Sequence, residues 1–227
     1  MISLPAALAR AIGQLSDPAI LRVLAKSIAV TLAIIALPGL GGWYLFAGFI
    51  EQWQLSYGAQ LGALIAVLAS AIAGWLLFRM VALAVVQFFA DEIVAAVEAR
   101  HYPQAHIAAR KLSLRQELGN SARSAARVLL VNLIALPFAI ALLITGVGTA
   151  ILFWMVNGWL LGRELQDMVW LRHVSGPDDQ PPIGAGTRFA LGGIVAVLLS
   201  VPFVNLLAPV IGAATATHLI HRPRTPR

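Results

Sequence analysis

Residues 128–162 read VLLVNLIALPFAIALLITGVGTAILFWMVNGWLLG, a stretch with no charged residue, closed by Arg127 before it and Arg163 after it. A spanning helix needs about 20 apolar residues. One straight helix over this stretch would therefore overshoot the bilayer. It would also put its basic flanks, Arg123 and Arg127 on one side and Arg163 and Arg172 on the other, at opposite membrane faces, whereas basic flanks collect on the cytoplasmic face. A chain that reverses at Thr145-Gly146-Val147-Gly148-Thr149 keeps both flanks inside. The stretch thus predicts a helical hairpin with arms of roughly 15 residues, which barely cross or only partly enter a ~30 Å core.

Residues 189–217 repeat the arrangement. Arg188 precedes them, the basic tail His221-Arg222-Pro223-Arg224 follows, and Pro202 and Pro209 bracket the centre. Arms of about 13 residues are ~20 Å long as helix, too short to span, so a second re-entrant hairpin is expected. Its linker to the first, Ser175-Gly176-Pro177-Asp178-Asp179-Gln180-Pro181-Pro182, reads as a surface loop.

Composition agrees with a membrane class. Of 227 residues 59% are hydrophobic and 11% charged, against roughly 25% charged in a soluble domain. Charge is also absent between Lys26 and Glu51, between Glu51 and Arg79, and between Arg188 and His218. The net charge of +6 is almost wholly arginine flanking apolar segments, which suits anionic headgroups and the positive-inside rule better than nucleic acid. With no cysteine there is no disulfide, thiolate nucleophile or thiolate-held metal.

The remaining segments complete an all-α integral membrane fold. Residues 1–16 place Leu4, Leu8, Ile12 and Leu15 at helical spacing and read as a short amphipathic helix in the interface, with no cleavable signal evident. Asp17-Pro18 caps a first membrane helix over 19–37. Pro38 to Gly42 ends it, and Trp43, Tyr44, Trp53 and Tyr57 mark the far interface. A second long helix covers 55–90, leaving the membrane near Arg79. Residues 91–127 form a cytoplasmic helical segment with a turn at Tyr102-Pro103, and residues 218–227 a tail. The expectation is one membrane domain over 1–227: two long transmembrane helices, two re-entrant hairpins at 128–162 and 189–217, and both termini cytoplasmic.

Few residues carry chemistry. Arg22 and Lys26 lie one turn apart and either anchor a helix end by snorkelling or form an anion site. Arg163 and Glu164, with Asp167 after them, either pair to lower the cost of burial or gate a polar path. Asp91 and Glu92 are adjacent, so on a helix they diverge by about 100° and do not form a catalytic carboxylate pair. Asn157 and Asn205, polar within apolar runs, join two helices or line a path. The returning arm of each hairpin, starting at Thr149 and near Asn205, would aim its positive dipole end into the membrane and favour an anion there. His218 and His221 share a helix face, but no third ligand stands near them in sequence, and no metal is expected. Gly58-x-x-x-Gly62 and Gly158-x-x-x-Gly162 allow close helix approach, a frequent pattern in glycine-rich membrane segments. No Walker, HExxH or GxSxG motif is present, so neither an enzyme nor an ATP-driven pump is expected.

Three stretches are familiar together: Phe88-Phe89-Ala90-Asp91-Glu92-Ile93-Val94-Ala95-Ala96-Val97-Glu98 with Tyr102-Pro103; Asn157-Gly158-Trp159-Leu160-Leu161-Gly162-Arg163-Glu164 with Leu171-Arg172-His173; and the closing run from Asn205 to His218. With them the chain, from about Pro5 to His218, resembles the CysZ-type sulfate permeases and their relatives in the etoposide-induced-protein-like membrane family. The resemblance implies a bacterial inner-membrane homo-oligomer that admits sulfate for cysteine biosynthesis, without a cofactor. It also implies sulfate binding near the start of the first membrane helix through a Gly-Leu-Arg-Arg-like segment. Here that place reads Ile20-Leu21-Arg22-Val23. Leu21 and Arg22 match; the glycine and the second arginine do not, a loss of one charge-assisted contact worth roughly 1.5–3 kcal/mol. Lys26 can replace the charge but not the bidentate geometry. Leu21, Arg22 and Lys26 are therefore the expected substrate-binding residues, and Asp91, Glu92, Asn157, Arg163, Glu164 and Asn205 the candidates for pore or gate. The competing expectation is a non-transporting scaffold or lipid-interacting protein of the same fold, favoured by the scarcity of charge inside the apolar runs.

Overall fold

The computed structural model describes residues 2–26, 29–30, 33, 90–176, 179–201 and 204–221. The expected span over 55–90 (apart from Ala90), the aromatic belt, Gly58-x-x-x-Gly62 and most of the span over 19–37 lie outside the described residues. The chain divides into two units, Met1–Ile20 with Ala90–Arg227, and Leu21–Phe89. Within the second unit residues 21–26 are helical.

Every described element of the first unit is a helix: α1 (Leu4–Gly13), α2 (Ala90–His101), α3 (Pro103–Ala108), α4 (Leu114–Leu142), α5 (Val147–Trp170), α6 (Ala185–Ser200) and α7 (Ala208–Ile220), with 3-10 turns at Leu143–Thr145 and Val204–Leu206. No strand occurs among the described residues.

Helix α4 starts at a capping box. Ser113 Oγ accepts from the Gln116 amide (3.4 Å) and the Ser113 amide donates to Gln116 Oε1 (3.0 Å), so two otherwise orphaned N–H groups are satisfied. The helix runs through Pro137 and ends in the 3-10 turn and Gly146, whose φ of 62° is open to glycine and strained for other residues. Thr145 Oγ1 donates to the Leu142 carbonyl (2.7 Å) and accepts from the Gly148 amide (3.0 Å). The reversal thus falls where the sequence places it, but the helices around it run 29 and 24 residues. They are longer than the expected arms because the charge-bearing stretches 114–127 and 163–170 continue the same helices. Two side-chain links tie those extensions: Ser124 Oγ donates to Glu164 Oε2, and Arg127 Nη1 meets Asp167 Oδ2 at 3.4 Å. Leu114–Thr145 is long and apolar enough to cross a membrane, and its most apolar window is wholly unburied. Leu129, Leu133, Ile134, Phe138, Ile140 and Ile144 all stand exposed.

Helix α7 is the opposite case. All thirteen of its residues are buried, and it packs against α1, α2, α5 and α6. Its small residues permit this: a Cβ on Gly212 would come within 3.0 Å of Leu165 and 3.1 Å of Val195. Helix α1 buries Ala7 and Ala11 while Ile12 remains exposed, so its small face turns to protein.

The seam between α5 and α6 is backbone against backbone. A Cβ on Gly162 would strike the Arg188 carbonyl, and one on Gly192 would strike Gly158 and Gly162. Gly158-x-x-x-Gly162 is therefore a working contact. Trp154 closes the seam, donating Nε1–H to the Gly193 carbonyl (3.0 Å) and meeting Phe189 edge-on at 5.4 Å.

Candidate functional site

Three of the chain's five histidines, His106, His173 and His221, surround one buried acid, Glu98, and the other two, His101 and His218, pack against each other beside Tyr102. Helix α2 buries Ile93, Val94, Val97 and Glu98 on one face, the apolar residues carrying the carboxylate inward with them. Glu98 is wholly inaccessible. Its Oε1 accepts from His173 Nε2 (2.8 Å), just beyond the end of α5, and from His221 Nε2 (2.9 Å), which caps α7. Its Oε2 lies 4.0 Å from His106 Nδ1 on α3 and has no hydrogen-bond partner among the described residues. Burial alone would raise the Glu98 pKa, but the two histidine hydrogen bonds and the nearby Arg172 charge outweigh it and hold the carboxyl at about 2. The acid is thus ionised at any physiological pH.

A second layer adjoins it. Tyr102, at the break between α2 and α3, pairs its hydroxyl with His218 Nδ1 (2.9 Å), and His101 meets the His218 ring edge-on at 5.3 Å. Burial pushes His218 down to about 4, helped by the charges of His101, Arg10 and His221. His218 is therefore neutral near pH 7. Its Nε2 has no hydrogen-bond partner among the described residues. Arg110 braces the rim, its amide donating to the Arg172 carbonyl (2.9 Å) and its guanidinium to the Val174 carbonyl. A cavity of about 450 Å³, lined by Trp170, His173, Ser175, Asp179, Pro182, Ile220 and His221, opens beside the cluster.

Leu21, Arg22 and Lys26 are exposed on the helical residues 21–26 of the second unit. Asp91 and Glu92 are exposed near the start of α2. Arg163 and Glu164 do come together with partners: Arg163 Nε lies 3.7 Å from Asp167 Oδ2, and both sit in the group that ties α5 to α4. Asn157 donates its amide to the Phe153 carbonyl of its own helix (2.8 Å), and Asn205 is buried in the 3-10 turn before α7. At the tip of the first hairpin one amide of the α5 N-terminus is engaged by Thr145, which leaves fewer donors for an anion there.

Of the two histidines that the sequence places on one helix face, His218 pairs with Tyr102 and His221 meets Glu98. The partners that sequence reasoning did not find for His221 are Glu98 and His173, remote along the chain. One signal pointed to them: Glu98, Tyr102, Arg172, His173 and His218 all lie in the stretches that carry the family resemblance.

The comparison with known families decides the relationship. The family model for Sulfate transporter CysZ/Etoposide-induced protein 2.4 matches residues 7–209. The chain belongs to that family. No curated protein matches the chain individually. The family is a transporter family rather than an enzymatic one, and membership joins the all-helical architecture and the exposed apolar helix α4 in identifying a sulfate-transporter-like membrane protein.

Proposed function

We propose that this protein is a permease for sulfate or a closely related anion in the bacterial inner membrane, supplying sulfate for cysteine biosynthesis as a homo-oligomer. The family match over residues 7–209 carries this reading. In it, the chain crosses the membrane through long helices over 19–37 and 55–90, the hairpins around Gly146 and Asn205 enter it in part, and both termini stay cytoplasmic. The exposed leucines and isoleucines of α4 support a lipid-facing hairpin, since such a surface is not stable in water.

Arg22 receives the anion first, offering a planar fork to two of its oxygens, with Lys26 adding charge one turn on. An inside-negative potential opposes a dianion by about 4–5 kcal/mol per 100 mV. Passage is therefore driven by a steep sulfate gradient or by a coupled cation. The alternative is a membrane scaffold of the same fold, favoured by the absence of any charge between Arg127 and Arg163 and between Arg188 and His218.

Uptake of labelled sulfate into proteoliposomes, with Arg22→Ala beside the native protein, separates these readings. Saturable uptake that falls at least about tenfold in the variant supports a permease with its first contact at Arg22, the loss of about 1.4 kcal/mol or more of binding. Uptake equal to empty liposomes, from protein shown to be folded, rules out sulfate and turns the reading to another anion or to the scaffold.

A further inference from the structure

We propose that Glu98, His173 and His221 form a binding site for a divalent metal ion of the zinc class, one that clamps α2, the end of α5 and the end of α7 together. Each residue offers one ligand atom, and the three atoms all lie within 4.8 Å of one another. Two imidazole nitrogens and one carboxylate oxygen are the three-protein-ligand set of an open zinc centre, whose fourth position holds water. The two histidine rings meet edge-on at 4.6 Å, so their Nε2 atoms converge on the same carboxylate oxygen from different directions.

The second carboxylate oxygen carries the argument further. Glu98 is wholly buried, and Oε2 has no hydrogen-bond partner among the described residues. A buried charged oxygen without a hydrogen bond costs free energy, and a dication against the carboxylate offsets that cost. His106 Nδ1, 4.0 Å from Oε2, is placed to orient the carboxylate from behind, as outer-shell groups of metal sites do. The cavity beside His173 and His221 gives a route in and room for the water ligand.

Ligand chemistry narrows the ion. Imidazole nitrogens disfavour magnesium and calcium, and the chain has no cysteine to select copper(I). Zinc, cobalt(II) and nickel(II) fit. The site competes with protons on both histidines, and Arg172, whose charge also acts on Glu98, tempers its affinity.

The assignment is independent of what the protein transports, and its test reads the metal directly. Full-length protein without an affinity tag is purified in detergent, stripped with a chelator and titrated with cobalt(II). One cobalt per chain, with intense visible ligand-field bands displaced by zinc, is the expected result. His173→Ala and His221→Ala should each weaken binding more than about 100-fold, while His101→Ala, outside the ligand set, leaves it unchanged. Size-exclusion profiles of the two histidine variants, taken without metal, establish that they are folded; Glu98→Gln is the harsher change and is read only if it passes the same check. Absence of the bands, or full cobalt binding in the His173→Ala/His221→Ala double variant, overturns the assignment.

Discussion

Residues 128–142 of α4 and the whole of α7 are mostly apolar, yet no residue of α4 is buried and every residue of α7 is. The difference lies in side-chain size. The apolar part of α4 presents mainly Leu, Ile, Val and Phe; seven of the thirteen residues of α7 are alanine, glycine or threonine. Small residues let four neighbouring helices close around α7, and large ones give α4 a broad apolar surface outside. A membrane protein sorts helices in this way because burial from lipid brings no hydrophobic gain, so that close packing decides what goes inside.

That contrast can be broken by substitution, most severely at the buried acid. Glu98→Ala should destabilise the detergent-solubilised protein by about 3–5 kcal/mol, since it leaves two histidine donors and Arg172 without their counterpart. Thermal unfolding followed by tryptophan fluorescence measures it, and a native-like midpoint would show that the cluster is not part of the core. Next come the glycine seams. Gly192→Ala forces α5 and α6 apart and should cost about 1–3 kcal/mol or more, visible as a lower midpoint and a broadened size-exclusion peak.

The pH dependence of the α7 end follows from His218. Its folded pKa, about 4, lies below the unfolded value of 6.5, so the unfolded chain binds the extra proton. Stability is then complete above about pH 6.5 and lost as the pH falls from there toward 4, by at most ~1.4 kcal/mol per pH unit. Glu98, held at about 2, keeps its contribution above about pH 4.5 and loses it only as the pH falls from there through 2. A His218→Asn variant should flatten the unfolding midpoint between pH 6.5 and pH 5; an unchanged slope would mean that His218 is not the group responsible. The smallest effect belongs to α4. Leu133→Ala, at an exposed position, should shift stability by less than about 0.5 kcal/mol. A cost comparable to that of Ala213→Leu in α7, where overpacking is worth about 1–3 kcal/mol, would erase the distinction between the two helices.

Much of this was legible without coordinates. The charge-free run after Arg127 announces one helix long and apolar enough to cross a membrane, and Thr145 to Thr149 announces a reversal, because apolar length and glycine placement are local properties. The relationship to the sulfate transporter family was legible from the motif stretches. The length of α4 was not, since the Ser113 capping box lies 15 residues before the apolar run and a polar extension looks like a separate segment. Nor was the cluster: His173 and His221 are 75 and 123 positions from Glu98, and no spacing rule joins them. Gly158 and Gly162 were legible as a pattern, but their contact required the partner glycines of α6 to be in place.

The burial of α7 has a consequence for how this chain tolerates change. Each α7 side chain has neighbours on every side, so its identity is set by shape, and even a methyl group added at Gly212 must displace Leu165 or Val195. A side chain in the apolar part of α4, residues 128–142, needs only to be large and oily. The two helices therefore accept different vocabularies: α4 can drift among leucine, isoleucine, valine and phenylalanine with little effect, while α7 is held nearly letter by letter. A substitution matrix that treats every apolar helix alike would misjudge both, overrating danger in the first and underrating it in the second.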